Sequence, residues 1–400
     1  MARTVIVGFA RTPFGRFMGT LRAMPAVELG AIVVREALAR AGVPGEALDN
    51  VILGMVVQAG AGQIPSRQAT IRAGLPPEIP SETINKVCSS GLRAVNLGDL
   101  LIRCEEADLI VAGGMESMST VPYLLPRVRE GQRMGDGTAV DGMVRDGLWC
   151  PFHDVHMGVH GGRVPAEEFG ITREAMDRWA LRSHRLAVAA GEQGRFEPEL
   201  VPVAVPQRRG EPLLFESDEL PRPDTDLEKL AALPPAFEPE GLITAGNAPP
   251  ISDGAGALVL ASSRRAEQLG LEPLAEIVSF GCASREPSYI STVPYYAAAA
   301  ALQKAGLESG QMDLIEVNEA FAAVPLTCMQ LGGWDEEKVN VNGGALALGH
   351  PIGASGARIL MTLITELRRR GGGYGLATIC SGAAQGEATI VRVFPAAQGD

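Results

Sequence analysis

The sequence has no apolar run near the roughly 18 residues that a membrane-spanning helix needs. Its N-terminus has no apolar stretch of the kind a secretory signal carries. Neither a membrane partner nor export is therefore expected. No acid precedes Glu28, whereas Arg3, Arg11, Arg16 and Arg22 do, a pattern that a transit peptide can also show. Thr4-Val5-Ile6-Val7, however, reads as a first buried strand, which a discarded peptide does not need. No two of the six cysteines form a C-x-x-C pair: Cys88, Cys104, Cys150, Cys282, Cys328 and Cys380 are scattered. With no signal, this points to free thiols in a reducing, cytoplasmic compartment. Most of them are expected to be inert core residues. Net positive charge is also missing. At −12 the chain is unsuited to general nucleic-acid binding, and any anionic ligand needs a local basic patch.

What is present is a large apolar fraction. With 46% hydrophobic and 20% charged residues over 400 positions, the chain can bury a sizeable core and is not disordered. Strand-length apolar runs alternate with amphipathic stretches. Ala26 to Ala41 is amphipathic and stops at Gly42. Val51 to Val57 is strand-like, Gly91 to Cys104 is helical in pattern, and Asp108 to Ala112 is again strand-like. This is the rhythm of a layered α/β fold.

Between about Val121 and Gly246 the rhythm breaks. Nearly half of the 28 prolines fall there, and central strands exclude proline. One helix, Thr172 to Gln193, interrupts this segment, with Thr172 as its N-cap. The segment reads as an inserted loop domain that carries specificity. The division expected is 1–120 with about 247–270 as an N-terminal half, 121–246 as the loop domain, and 271–400 as a C-terminal half. The second half echoes the first. Cys88-Ser-Ser-Gly-Leu-Arg and His350-Pro-Ile-Gly-Ala-Ser-Gly-Ala-Arg each open an apolar helix that is followed by a glycine break and a strand. A duplicated unit would set two helix N-termini near a shared axis.

Four stretches could do chemistry. Cys88 precedes a helix, where the positive end of the dipole and unpaired N–H groups favour thiolate. A buried structural cysteine explains the same position. His350, flanked by glycines, is a candidate general base, or simply a helix cap. Cys380 ends an apolar strand before Ser381-Gly382-Ala383-Ala384, whose N–H groups could line an oxyanion site. Asn318-Glu319 follows Leu314 to Val317 and could fix a water or cap a helix. His153, His156 and His160 have spacings that a metal site uses. Asp154 and the neighbouring glycines leave little helical order, and no cysteine or second carboxylate is clearly placed. No metal site is therefore expected there.

Together these pieces resemble the thiolase family over essentially the whole chain. The resemblance runs through Arg11-Thr12-Pro13-Phe14-Gly15, the Cys88 segment, Gly113-Gly114-Met115-Glu116-Ser117-Met118-Ser119, His156-Met157-Gly158 and Thr244-Ala245-Gly246-Asn247-Ala248. It continues through Asn318-Glu319-Ala320-Phe321, Gly349-His350-Pro351-Ile352-Gly353 and Cys380-x-Gly382. It implies two similar α/β halves in a five-layered α-β-α-β-α fold with an inserted loop domain, assembled as a homodimer or homotetramer. It implies no cofactor, with coenzyme A and acyl-CoA as substrates. Cys88 would carry the acyl group and His350 would take its proton. Cys380 would act at the substrate α-carbon, and Asn318 would hold a water that, with His350, stabilises an oxyanion. The N–H groups of Cys88 and Gly382 would form a second oxyanion hole. Arg222, His156, Met157, Ala245 and Phe321 would contact coenzyme A or the acyl group, and Arg208 and Arg209 could add positive charge.

Three departures from the family pattern stand out. Pro249 replaces a common serine. His160-Gly161-Gly162-Arg163 replaces a Thr-Ala-Glu-Asn type sequence. Ser381, Ala383 and Ala384 stand in a loop that is usually richer in glycine. Related condensing enzymes of the ketoacyl synthase type use one cysteine and two histidines, yet only His350 follows His184 here. The activity expected is condensation of two acetyl-CoA into acetoacetyl-CoA. The alternatives are a broad-range 3-ketoacyl-CoA thiolase of fatty acid degradation and a non-catalytic acyl-CoA-binding scaffold.

Overall fold

The computed structural model describes residues 3–396. Nine strands form the main sheet path: β1 (Thr4–Arg11), β2 (Asn50–Gly54), β3 (Ser81–Ile84), β4 (Leu109–Ser117), β5 (Ser252–Ser262), β6 (Ala275–Ser284), β7 (Leu314–Val317), β8 (Gly373–Ser381) and β9 (Gln385–Val393). Their order is β7-β8-β9-β6-β1-β5-β4-β2-β3, with Gly15–Arg16 pairing off the path against β5. Strands β1, β4 and β5 are buried along their whole length, which is why they read as continuous apolar runs rather than alternating ones.

The order is two copies of one pattern back to back. From the middle outward, one half runs β1-β5-β4-β2-β3 and the other runs β6-β9-β8-β7. An isolated parallel bridge, Ile315 to Val339, occupies the place that β3 fills in the first half. The halves join through a short antiparallel contact between β1 and β6, Val5 opposite Glu276 and Ile6 opposite Ala275.

Helices cover these sheets in the expected five layers. Helices Ala26–Ala41 and Pro65–Arg72 pack outside the first half, and Val293–Ala305 with Ala323–Gly332 outside the second. Helices Ser90–Arg103 and Ser355–Arg369 lie between the sheets and touch each other. Three apolar clusters fill the spaces. Val33 and Val111 belong to the first, Leu92 and Leu363 to the central one, and Val324 and Leu376 to the last.

Local signals set the helix ends. Ala26–Ala41 buries Val27, Leu29, Val33, Val34, Ala37 and Leu38 on one face. It stops at Gly42, whose left-handed φ of 65° a glycine adopts without strain, and the Val43 N–H closes on the Leu38 carbonyl. The two central helices cross close to their N-termini. A Cβ on Gly356 would lie 2.3 Å from the Leu92 nitrogen, and one on Gly91 would lie 2.9 Å from the Ala357 nitrogen. Glycine at both positions lets the Cys88 end of one half meet the His350 end of the other.

The 121–246 segment contains only two- and three-residue strands, paired as small ribbons. Its long helix, Arg173–Glu192, begins at Thr172, whose hydroxyl accepts from the Ala175 N–H. A second helix, Met157–Phe169, forms despite Gly158, Gly161, Gly162 and Pro165. Its glycines face Phe237, Phe321 and Ile243, so tertiary packing overrides the poor local propensity read from the sequence. Among the described residues, no helix is long and apolar enough to cross a membrane.

Candidate active site

The loop after β3 turns through Val87, at a φ of 45°, and delivers Cys88 to the start of helix Ser90–Arg103. Ser90 fixes this turn. Its hydroxyl donates to the Val87 carbonyl and accepts from the Lys86 N–H. Cys88 is buried, and the N–H groups of Cys88 itself and of Gly382 are aimed at its sulfur. Burial opposes the thiolate that the helix start favours. Burial pushes the thiol up to about 12, and these two N–H groups only partly offset that, while Glu116 adds a smaller upward push. Cys88 therefore rests as a thiol and needs a base.

His350 is placed to be one. It follows the short helix Ala345–Leu348, and its backbone N–H donates to Ser252 Oγ at 3.1 Å. Its Nδ1 lies 2.6 Å from Ser355 Oγ, and that hydroxyl donates to the Pro351 carbonyl at 3.0 Å. The Asn318 amide nitrogen lies 3.5 Å from His350 Nε2. Read as one chain of donors, this puts the imidazole proton on Nδ1 and leaves Nε2 as the unprotonated nitrogen, its lone pair facing the Asn318 amide. Burial, reinforced by the Arg358 guanidinium, lowers His350 to about 3, so the neutral base is the resting form.

Cys380 sits at the end of β8, fully buried. Burial pushes its thiol well up, and proximity to Cys88 and Cys328 adds to this. In the matching strand of the first half the same eighth position holds Glu116. Glu116 is also buried and accepts from the N–H groups of Val56, Val57 and Gly353 at 2.9, 3.2 and 3.1 Å. It thereby ties the β2 end of one half to the His350 loop of the other. Burial raises its carboxyl to about 7 despite these donors. Nothing in the sequence around Glu116 singles it out for this role.

Asn318 follows β7. Its Nδ2 faces His350, while its Oδ1 is buried without a partner. Its neighbour Glu319 accepts from Trp179 Nε1, Ser183 Oγ, Asn340 Nδ2 and the Leu346 N–H at 2.9, 2.7, 3.0 and 3.0 Å. Glu319 thus caps the short helix before His350, one of the two roles its sequence position suggests, and also anchors helix Arg173–Glu192 to that loop.

Two adjoining clefts collect the remaining residues. One, mainly apolar, is lined by Cys88, His350, His156, Met157, Phe321 and Pro249 together with Phe237. His156 stacks on Phe237 with ring centroids 4.0 Å apart, and its Nδ1 accepts from the Gly158 N–H. Burial lowers its pKa to about 4. The second cleft is lined by Arg222, Ala245, His184, Thr225 and Lys229. Pro250 lines both, so the clefts meet there. Lys229, which carries no signal in the sequence, joins Arg222 in lining this cleft, where Asp224 also stands, and it pairs with Asp226 at 3.2 Å. Arg208 and Arg209 lie on an exposed ribbon tip and line neither cleft. Of the other cysteines, Cys150 and Cys328 are buried, whereas Cys104 and Cys282 are exposed rather than core.

The histidine triplet does not come together as its spacing implies. His156 is spent on its helix start and on Phe237. Cys150 stands with His153 and His160 instead.

The chain matches the family models for the thiolase N-terminal domain over residues 4–264 and the thiolase C-terminal domain over residues 271–393. It is 51% identical over 393 residues to an acetyl-CoA acetyltransferase of Pseudomonas aeruginosa, covering 98% of this chain and all of that protein. It is 49% identical over 392 residues to an acetyl-CoA acetyltransferase of Cupriavidus necator, with 98% and 100% covered. The crystal structure of the Bacillus anthracis acetyl-CoA acetyltransferase superposes with a TM-score of 0.96 at 41% identity, covering 98% of this chain and 99% of that one. With both domain models matched in order and relatives aligned end to end, the chain belongs to the thiolase family.

Proposed function

We propose that this protein is an acetyl-CoA acetyltransferase that joins two acetyl-CoA into acetoacetyl-CoA and coenzyme A, reversibly, through an acetylated Cys88. The observation that carries the reading is the Cys88 sulfur, met by the N–H groups of Cys88 and Gly382 in one cleft with His350. The names of the full-length relatives support this activity over a degradative thiolase or an inert scaffold.

In the first step His350 Nε2 takes the Cys88 proton as the sulfur attacks the thioester carbonyl. The coenzyme A thiolate leaves and recovers that proton from His350. In the second step Cys380, which burial holds as a thiol, first gives its own proton to solvent, and the thiolate so formed takes a proton from the α-carbon of a second acetyl-CoA. The enolate oxygen is held by a water on Asn318 and by His350. The carbanion attacks the acetyl carbonyl on Cys88, whose oxygen sits against the N–H groups of Cys88 and Gly382. The Cys88 thiolate leaves and takes up the α-carbon proton from Cys380, which returns to the thiolate for the next turnover. Removing one such oxyanion donor typically costs about 2.7–4 kcal/mol of barrier. Splitting the reaction at a covalent intermediate turns one hard step into two easier ones. The steps balance without a cofactor.

Arg222 and Lys229 supply the positive charge for the anionic end of coenzyme A, and Ala245 lies beside them. His156, Met157 and Phe321 bound the acyl end. In this reading residues 121–246 form the specificity domain between the two halves, 1–120 with about 247–270 and 271–400. The chains work as dimers or tetramers in the cytoplasm, and sedimentation of the purified protein measures the assembly.

The test is thiolysis of acetoacetyl-CoA and of longer 3-ketoacyl-CoAs, together with labelling by acetyl-CoA. Strong preference for acetoacetyl-CoA is the expected result, and equal or better rates on long chains would overturn it. Cys88→Ala should abolish the acetyl-enzyme. Cys380→Ala should still form it and fail to condense. Full condensation by either variant would overturn the assigned roles.

A further inference from the structure

The hairpin Trp149–Cys150 to Val155–His156 brings Cys150 and His153 to one side, and the helix that follows adds His160 from its first turns. Cys150 Sγ lies 3.9 Å from His153 Nδ1. The His153 and His160 rings stand nearly perpendicular, with centroids 4.9 Å apart. One ligand atom from each of the three residues lies within 4.8 Å of the other two. Tetrahedral zinc, with a Zn–S bond of about 2.3 Å and Zn–N bonds of about 2.0–2.1 Å, sets such atoms about 3.4–3.6 Å apart. The cysteine–His153 pair is within a few tenths of an ångström of that spacing, and the widest pair closes by side-chain rotation.

Two further observations point to a ligand. His160 is only 7% exposed, and its Nε2 has no partner, which is costly for a buried polar atom. Glu286 Oε1 lies 3.2 Å from His153 Nε2, so the carboxylate accepts from the Nε2–H and leaves the Nδ1 lone pair facing the sulfur. Metal-bound histidines are commonly oriented by such a carboxylate. Glu286 is itself held by the Ser288 N–H at 3.0 Å. His153 and Glu286 are partly exposed, which gives a path for entry.

We infer that Cys150, His153 and His160 bind a zinc-class divalent cation, with Glu286 orienting His153 and the fourth position open to solvent. A thiolate with two imidazoles selects a borderline-soft ion over magnesium or calcium. None of the three lines the cleft that holds Cys88 and His350. His156 and Met157 lie between the ligands in sequence and do line it, so the cation pins the segment forming that wall.

The experiment titrates the metal-stripped full-length protein with Zn²⁺ against a chromophoric chelator, and with Co²⁺ followed by absorbance. One Zn²⁺ per chain is expected, with a thiolate-to-cobalt charge-transfer band. Cys150→Ser should remove the band and Cys88→Ser should leave it. His153→Ala, at an exposed position that leaves the fold intact, should abolish the one-per-chain binding, and Glu286→Gln should weaken it about tenfold. Absence of stoichiometric binding overturns the inference. So does binding that is unchanged in His153→Ala, or a band that follows Cys88 rather than Cys150.

Discussion

The hydroxyl of Ser355 accepts from His350 Nδ1 at 2.6 Å while donating to Pro351 at 3.0 Å, so a residue that never meets the substrate decides which imidazole nitrogen is basic. Ser355→Ala removes that choice and leaves Nδ1 without a buried partner. The expected result is a fall in the rate of acetyl transfer to Cys88 of about 10- to 100-fold, within the range that general-base catalysis contributes. KM should change little, because Ser355 lines neither cleft. Rapid-quench labelling with acetyl-CoA separates this effect from condensation. In the wild type the labelling rate should show no inflection near pH 6.5, because burial holds His350 near 3.

Glu116 gives a pH-dependent stability of definite sign. Its carboxyl is raised from 4.5 to about 7 by burial, so the folded state holds a proton that the unfolded state has released across that interval. The stabilisation is fully present below pH 4.5 and is lost as pH rises through about 7. Each tenfold difference in proton affinity between the two states is worth about 1.4 kcal/mol, so the loss is on the order of 3 kcal/mol. Glu116→Gln does not titrate, so the stability gap between wild type and variant should move against the wild type by that amount as pH rises from 4.5 through about 7. Denaturant melts at several pH values measure it, and a constant gap would contradict the assignment.

Where local chemistry decides an element, the sequence is legible. Gly42 ends its helix, Thr172 caps the next long one, and Leu314 to Val317 is a strand with the expected bounds. The echo between the Cys88 and His350 stretches also appears, as two helix N-termini crossing at Gly91 and Gly356. What sequence reasoning misses depends on partners far away in the chain. At Cys88 the helix end that favours thiolate is legible in the sequence, whereas the burial that opposes it is not. Spacing alone groups His156 with His153 and His160, whereas Phe237, distant in sequence, draws it off. Lys229 and Glu116 give no local signal, since their importance lies in which cleft or loop they face.

The turn after Cys380 holds a strain that can be relieved. Ala383 and Ala384 have φ of 59° and 48°, in the left-handed region where an L side chain costs about 1–2 kcal/mol. Glycine removes that cost and adds about 0.5–1 kcal/mol of entropy loss on folding. Ala383→Gly should therefore raise stability by up to about 1.5 kcal/mol. Ala384→Gly should gain less or lose, because its methyl is fully buried in the apolar core. Thermal midpoints of the two variants decide this, and equal shifts would show that backbone strain does not govern the turn.

Glu319 is the residue whose loss should damage the site most without touching substrate. It collects Trp179 and Ser183 from one helix, Asn340 from the stretch that follows helix Ala323–Gly332, and the Leu346 N–H before His350. All four donors are buried, and each unpaired one costs about 1–3 kcal/mol. Glu319→Ala should therefore destabilise the protein by several kcal/mol and is expected to yield little folded enzyme. Glu319→Gln keeps the shape and one acceptor oxygen but turns an NH₂ group toward donors. It should fold with a lowered melting midpoint and a reduced rate, because Asn318 and His350 both stand on elements that Glu319 holds. A substantially lowered midpoint with unchanged turnover would show that Glu319 supports the fold alone. Falls in both, measured on the same preparation, would show that the carboxylate also positions the pair that receives the enolate oxygen.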